Sequence, residues 1–341
     1  DMDNLKKEPA DWREKVNLSS LDARGRREVG QWRREHRQQK MQNDWRNFNA
    51  AGKKLKLRLN VHDGGVEVFY RKRHYVMSHV QMAVGIDTDR KMDIDMSIGG
   101  FGGTMIGDAI SLNGTVDFQQ DPEPECSLAL VLYQIDPSSL GFGMNIHDKM
   151  TLSTYFTGPV SHPIGTGKVE MDELHIPGLD FANVEGNVYY ENSLLQFTNV
   201  TADVYKGKLA AYGDYDLDTR FYNLYGHGSD LQTESALPKS GLHTRVDLDL
   251  EIHSEGSAKS TVSSGSFLSG PGRYHLLPFD SLSGKVTDAG GDLHFYDAVI
   301  KLPGFTISTD AFHIQHGKLH LSPIRLTDKE GHPLYTYTPD Q

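Results

Sequence analysis

Several things are scarce in this chain, and each scarcity excludes something. Its 341 residues include one cysteine, Cys126, which rules out a disulfide framework and a cysteine-built zinc site. No run approaches the roughly 18 apolar residues of a membrane-spanning helix, and the first residues lack the basic, apolar, small-residue order of an export signal. Because the chain opens on Asp1, the expectation is a segment cut from a longer protein whose anchor or signal lies elsewhere. Proline is sparse, at 14 residues against 34 glycines, and only 37% of residues are hydrophobic. That balance suits many short strands with one wet face.

Catalytic signatures are missing too. There is no G-x-S-x-G elbow, no H-E-x-x-H and no Cys/His nucleophile arrangement. The glycine-rich stretch GGFGGTMIG (99–107) has neither a following Lys-Ser/Thr nor a helix to aim its amides at a phosphate, so it reads as a bend. Asp247 and Asp249 alternate on a charged face rather than converging. His313, His316 and His320 form an H-x2-H-x3-H cluster, but on a hairpin 313 and 316 point to opposite faces and no carboxylate stands at a fitting spacing. They read as surface or turn histidines. The expectation is no enzyme, no cofactor and no metal.

Charge is segregated. Residues 1–75 carry 19 Lys/Arg against 11 Asp/Glu, which leaves 16 against 35 of the chain's 35 and 46. The acidic remainder excludes nucleic acid as a partner. The basic part is different in kind: residues 1–58 form a helical segment, starting at an N-cap at Ser19 or Ser20 with Asp22 in the first turn and stopping at Gly52. Val29 with Trp32, and Met41 with Trp45 and Phe48, give it a narrow apolar stripe for docking on the β-body or covering its open end. Arg26, Arg27, Arg33, Arg34 and Arg37 crowd around that stripe and are the candidate contacts to lipid headgroups or a membrane surface.

From Lys56 onward the pattern is strand after strand. LKLRLNV (55–61) and GVEVFY (65–70) flank His62-Asp63-Gly64 and predict a hairpin. Met92, Ile94 and Met96 alternate with Asp93, Asp95 and Ser97; Leu128, Leu130 and Leu132 form a buried-looking run; and RVDLDLEIH (245–253) puts Val246, Leu248 and Leu250 on one side. EGSAKSTVSSGSFLSGPG (255–272) reads as a low-complexity loop or weak strand pair. Shifting the chain by 98 positions, without a gap, places Phe181 on Phe279, Gly186 on Gly284, Val188 on Val286, Leu195 on Leu293, Phe197 on Phe295, Asn199 on Asp297 and Leu209 on Ile307. Such recurrence marks one structural unit used again. The organisation is therefore a helical segment (1–58) and three β-repeat units (59–120, 121–231 and 232–341) in one continuous sheet.

The phrase TGPVSHPIGTGKVEMDELHIPGLDFANVEGNVYYENSLLQFTNVTADVYKGKLAAYGDYDL (157–217) resembles the AsmA-like family, and within it the TamB proteins of bacteria with two membranes. Shared are a Thr-Gly-Pro step, a Phe-x-x-Val-x-Gly strand, an inward Leu-x-Phe and a closing Gly-x-Tyr-Asp-Leu. NVHDGGVEVFY (60–70) and GDAISLNGTVDF (107–118) look like weaker copies. The resemblance implies a long, curved, mainly antiparallel β-sheet folded into an apolar groove in the periplasm, in a protein anchored in the inner membrane. It also implies phospholipid carried between the inner and outer membranes, with a β-barrel partner in the outer membrane. Met92, Ile94, Met96, Leu128, Leu130, Leu132, Val188, Tyr190, Leu195, Phe197, Val246, Leu248, Leu250, Leu293 and Phe295 are the expected groove lining. Two alternatives stand beside it: a scaffold for outer-membrane protein assembly, and a closed β-solenoid of the adhesin kind.

Overall fold

The computed structural model describes residues 11–338 apart from 53, 71–72, 142–143, 145, 177–178, 239, 257–259, 290–291 and 316–317. Two helices come first, α1 (Trp12–Lys15) and α2 (Ala23–Ala50). The alternating segments then become strands. β1 (Lys56–Tyr70), β2 (Arg73–Asp87), β3 (Lys91–Gly103), β4 (Ala109–Asp117), β5 (Glu125–Ile135), β6 (Met150–Pro159), β7 (Ile164–Ile176), β8 (Leu179–Glu191), β9 (Leu194–Val204), β10 (Gly207–Asp216) and β11 (Phe221–Gln232) each pair antiparallel with the next. After α3 (Thr233–Ala236), β12 (Leu242–His243) joins β15 (Gly272–Tyr274) and β16 (Leu277–Phe279) in a small separate sheet. The meander continues through β13 (Arg245–Glu255), β14 (Val262–Ser269), β17 (Ser281–Ala289), β18 (Asp292–Lys301) and β19 (Phe305–Gln315). β20 (Lys318–Leu321) and β21 (Ile324–Asp328) share the far edge of β19, and β22 (Pro333–Tyr337) lies outside β21.

The result is one 19-stranded, open, curved antiparallel sheet in which, among the described residues, β1 and β22 are free edges. It is not a closed barrel. Mainly β with one long N-terminal helix is the architecture that the residue pattern predicts. Three local readings are corrected. His62-Asp63-Gly64 does not turn the chain: Asp63 takes a left-handed φ of 53° as a bulge inside one continuous strand, and the hairpin partner of β1 is β2. Gly99–Gly103 is not a free bend but the end of β3, paired to β2 as far as Tyr75 opposite Gly103, because pairing satisfies amides that a loop would leave to water. Within 255–272, Val262–Ser269 is a full strand, bonded on both sides to β13 and β17.

The 98-residue recurrence is structural. β8, β9 and β10 reappear as β17, β18 and β19, with Val188 opposite Phe197 in the first copy and Val286 opposite Phe295 in the second. Asn199 and Asp297 both adopt a left-handed φ, 51° and 50°. Gly186 and Gly284 both fall at the register shift that these bulges cause. Asn and Asp tolerate that conformation better than other non-glycine residues, which is why the position survives as Asn in one copy and Asp in the other.

Helix α2 is capped by Asp22 rather than by Ser19 or Ser20: the Asp22 side chain accepts from the amide of Gly25 at 2.8 Å, and Gly52 at φ 60° follows its C-terminal end. The helix lies across the hairpin tips at one end of the sheet. Arg27 meets Glu255, Arg34 and Arg37 meet Asp216 and Asp218, Gln38 meets His162, Gln42 meets Glu123, and Trp45 stacks on Phe118 at 5.3 Å. Beyond the helix, Lys54 pairs with Asp89. Successive tips lie two strand spacings apart, about 9.5 Å, which a helix rising about 1.5 Å per residue covers in about six residues. The stripe is used unevenly: Val29 is buried, whereas Met41 stays exposed. Gly30 lets the backbone in, since a Cβ there would meet Thr219 Cγ2 at 2.6 Å.

Asp216 ties the helix to its turn. One oxygen accepts from the amides of Asp218 and Thr219 at 2.9 and 3.0 Å, and the other accepts from Arg34 Nη1 at 2.7 Å. Arg34→Ala leaves a largely buried carboxylate without its cation and should lower stability by about 1–3 kcal/mol. Urea denaturation of the two single variants and the double variant R34A/D216N measures the coupling. Independent, additive losses would show that the pair does not hold the helix.

Candidate functional site

Direct cross-strand partners in an antiparallel sheet share a face, so the register decides which side chains meet. One row runs Ile94, Gly114, Leu128, Phe156, Gly165, Tyr190, Leu195. The next runs Met96, Leu112, Leu130, Thr154, Gly167, Val188, Phe197, Gly213, Leu224, Ile252. Met92, Leu132, Val246, Leu248, Leu250 and Phe295 occupy the same face. Along β3 and β13 the pattern is explicit: Met92, Ile94, Met96, Val246, Leu248 and Leu250 are partly buried, while Asp93, Asp95, Asp247, Asp249 and Glu251 between them are exposed.

The concave face deepens into a cavity of about 350 Å3. Val188, Leu195, Phe197, Leu248 and Leu250 line it together. The other expected positions lie along the same face without reaching this cavity. Leu132 belongs to a neighbouring cluster with Met105 and Ile135, against which Leu130 packs. Tyr190 meets Phe156 edge-on at 5.8 Å, Val246 faces Leu231, and Phe295 stacks on Phe312 at 4.4 Å. Leu293 is paired with Ile314 in the ladder, and its side chain lies outside the described residues. Sequence reasoning missed Met144, Ile146 and Met150, which enter the cavity from the connection before β6 and from its first residue. A methionine-rich connection after an apolar strand was the available signal. It also passed over Met171, Phe181, Val184 and Val204, the buried centre of the trough floor, whose alternation is legible once the register is known.

Glycines make the curvature feasible. Large side chains on the concave face lean over glycines in the neighbouring strand: a Cβ on Gly165 would meet Phe156 Cε1 at 2.6 Å, and one on Gly213 would meet Leu224 Cδ2 at 2.7 Å. Two lining groups are chemically quiet. Burial pushes the Cys126 thiol up from its ordinary value, which disfavours the thiolate, and Thr154 buries its hydroxyl without a hydrogen-bond partner among the described residues.

A second cavity, about 1220 Å3, lies between α2, residues 14–18, the 217–220 turn and the β1–β2 hairpin. Lys15, Arg26, Arg33, Arg37, Lys40, Arg73 and Arg220 line it against Glu14 and Asp218, with Val68, Met77, Met105 and Leu140 as apolar wall. Arg26 donates to the carbonyls of Leu21 and Glu255, and Arg33 to those of Arg13 and Val16, which fixes these guanidiniums in the cavity wall. Arg37 instead chelates Asp218 at 2.9 and 2.8 Å, and that hydrogen-bonded carboxylate raises its pKa. Arg27 and Arg34 pair with Glu255 and Asp216 outside the cavity lining. The short 3-10 turn Pro137–Leu140 stands between the two cavities, with Pro137 lining the apolar one and Leu140 the cationic one.

Gly213→Val should destabilise the protein by about 1–3 kcal/mol through overpacking, whereas Gly304→Ala, with open space around it, should stay within about 0.5 kcal/mol. Thr154→Val should raise stability by relieving the orphaned hydroxyl. Thermal denaturation of the three variants orders them, and an unchanged Gly213→Val would refute the crowding of the concave face. No family model, no curated protein and no solved structure matches this chain.

Proposed function

We propose that the chain shelters phospholipid acyl chains in the trough and lets them pass along it between the two membranes of a bacterial envelope, without catalysis. The observation that carries this reading is the long apolar face on which, among the described residues, no second sheet packs: one side of the sheet is lined row by row with Leu, Ile, Val, Met and Phe across more than ten strands. An apolar sheet face has to be covered by a second sheet, by helices or by ligand. Helix α2 is committed to the hairpin tips, and among the described residues no other helix exceeds one turn. Burying one acyl chain of about 16 carbons is worth on the order of 13 kcal/mol at about 0.8 kcal/mol per methylene. Repeated rows offer similar energies at successive positions, so a chain slides without a deep trap. The cationic cavity suits the phosphate of a headgroup, and the resemblance of 157–217 to the AsmA-like family points to the same class of ligand. No helix among the described residues is long and apolar enough to cross a membrane, so on this reading the membranes are reached through other segments or partners.

The free edges favour one second reading. Among the described residues β1 and β22 each present an unpaired backbone edge, and Leu334, Tyr335 and Tyr337 are exposed on β22. Such edges accept an added strand, as a scaffold for outer-membrane protein assembly requires.

Mass spectrometry of a lipid extract from the purified chain, quantified per protein beside an equally handled β-sandwich, tests the first reading. Several phospholipids per chain are expected, lost in Leu248→Asp/Leu250→Asp while the β-sheet circular dichroism persists. A lipid-free chain that remains monomeric would overturn it. Photo-crosslinkers at Leu195 and Leu248 should capture lipid in cells, and outward positions such as Asp249 should not. If proline substitutions along β22 remove function while the lining variants keep it, the strand-addition reading takes precedence.

A further inference from the structure

The convex face of β18, β19 and β20 carries a row of histidines that the H-x2-H-x3-H spacing only half reveals. Register places His294 opposite His313, and His313 opposite His320. Their rings stack in sequence, with centroids 5.0 Å apart at 22° and 4.6 Å apart at 8°. His316 lies outside the described residues. The third member comes instead from β18, a strand outside the motif.

What distinguishes these three is that, among the described residues, they stand in one row with uncommitted nitrogens. Most described imidazoles elsewhere face carboxylates, as His79 meets Asp63 at 2.9 Å, His175 meets Asp148 at 2.8 Å and His227 meets Asp249 at 2.7 Å, while His253 bonds Asn223 and His62 and His275 stand outside any histidine row. None of the three stacked histidines has a side-chain hydrogen bond or ion pair among the described residues, although His294 and His313 are only partly exposed. A row of aligned, unengaged imidazoles on a rigid ladder is a pre-positioned set of nitrogen donors.

We propose that this histidine row binds one borderline transition-metal ion, of the Cu2+, Ni2+ or Zn2+ class, with His313 as the obligatory ligand and either His294 or His320 as the second. Two imidazole nitrogens on one such ion stand about 3.3 Å apart for metal–nitrogen bonds of about 2.0–2.1 Å. Rings stacked at 4.6–5.0 Å reach that separation by tilting toward each other, with no change in the strands. The outer rings stand two strand spacings apart, about 9.5 Å, too far to share an ion. The row therefore holds two overlapping two-histidine sites that exclude one another, and water completes the coordination. Imidazole donors select these ions over Mg2+ and Ca2+, which prefer oxygen. The chain's net charge of -11 raises the local cation concentration. The site stands on the convex face and is independent of any ligand in the trough.

One other group on the chain competes for the same ions. Asp328, Glu330 and His332 bring one ligand atom each within 4.8 Å of one another at the β21–β22 turn. The test separates the two. Cu2+ and Zn2+ are titrated by calorimetry into the full chain, purified without a histidine tag, with Mg2+ as control, and the Cu2+ form is examined by electron paramagnetic resonance. Expected is saturation at one ion with coupling to two nitrogens. His313→Gln should weaken binding by on the order of tenfold or more, because it removes a ligand common to both arrangements. His294→Gln and His320→Gln alone should each cost only about twofold, since the other pair remains, whereas the double variant should match His313→Gln. That double variant keeps His313 and decides the matter should His313→Gln fail to fold. Absence of Cu2+ and Zn2+ binding, binding indifferent to both His313→Gln and the double variant, or loss that instead follows His332→Gln would each overturn the proposal.

Discussion

A sheet that curves about its own concave face brings the side chains on that face together, and this crowding is the constraint on which the rest of the structure depends. On the convex face neighbours diverge, so charged and aromatic residues of any size fit. On the concave face volume must be removed somewhere, and the chain removes it at glycine. Phe156 lies over Gly165, Leu224 over Gly213, and Phe267 over Gly284. Each pairs a large apolar side chain with a neighbour that has none, so the apolar lining is continuous although the residues that make it are not. The bulges at Asn199 and Asp297 serve the same end by adding twist where the register slips.

Helix α2 answers a different difficulty. A meander made only of nearest-neighbour hairpins has nothing to fix the distance between tips several strands apart. The helix supplies that reference by touching successive tips through arginines, glutamines and one tryptophan. Its contacts are polar because the tips are polar: turn carboxylates such as Asp216 and Glu123 are already engaged with turn amides or hydroxyls and have one more lone pair to offer. A basic helix on an acidic sheet is thus a packing arrangement as well as a charge pattern. Guanidiniums held by backbone carbonyls, Arg26 and Arg33 above all, are thereby fixed in the wall of the cavity beside them.

Much of this was legible from residues alone. Period-two alternation located nearly every strand after residue 55, and the ungapped recurrence found a three-strand unit down to its bulge residue. Met92, Ile94, Met96, Val188, Phe197 and Leu248 were placed on one face by alternation, because a strand's inward set is fixed by a single parity. What stayed hidden has one cause: parity breaks at bulges. Asp63 looked like a turn because Asp-Gly between apolar runs is the usual hairpin signal, and only pairing with β2 shows that the strand goes on. Tyr190 and Val188 share a face, yet only Val188 reaches the cavity, since depth within a curved sheet depends on rows that the sequence does not number. The partnership of His294 with His313 was invisible for the same reason: it is a register, nineteen residues apart, and no local spacing encodes it.

The helix grips only one rim. At the opposite end no long helix runs from tip to tip among the described residues: the connection 136–149 touches the β1–β2, β3–β4 and β7–β8 hairpins through Ser139, Lys149 and Asp148, and the Tyr205-Lys206 tip between β9 and β10 is reached by Gln232. Mechanically the sheet is a plate clamped continuously along one side and in patches along the other. A load applied to its interior, or a wedge entering it, meets higher stiffness near the helix than at the opposite side, so it widens like a purse rather than dilating like a ring. Bending energy for such a plate is shared over many weak ladder contacts instead of being concentrated in one hinge. On the lipid-sheltering reading proposed above, occupants of different girth would be accommodated without any bond being broken.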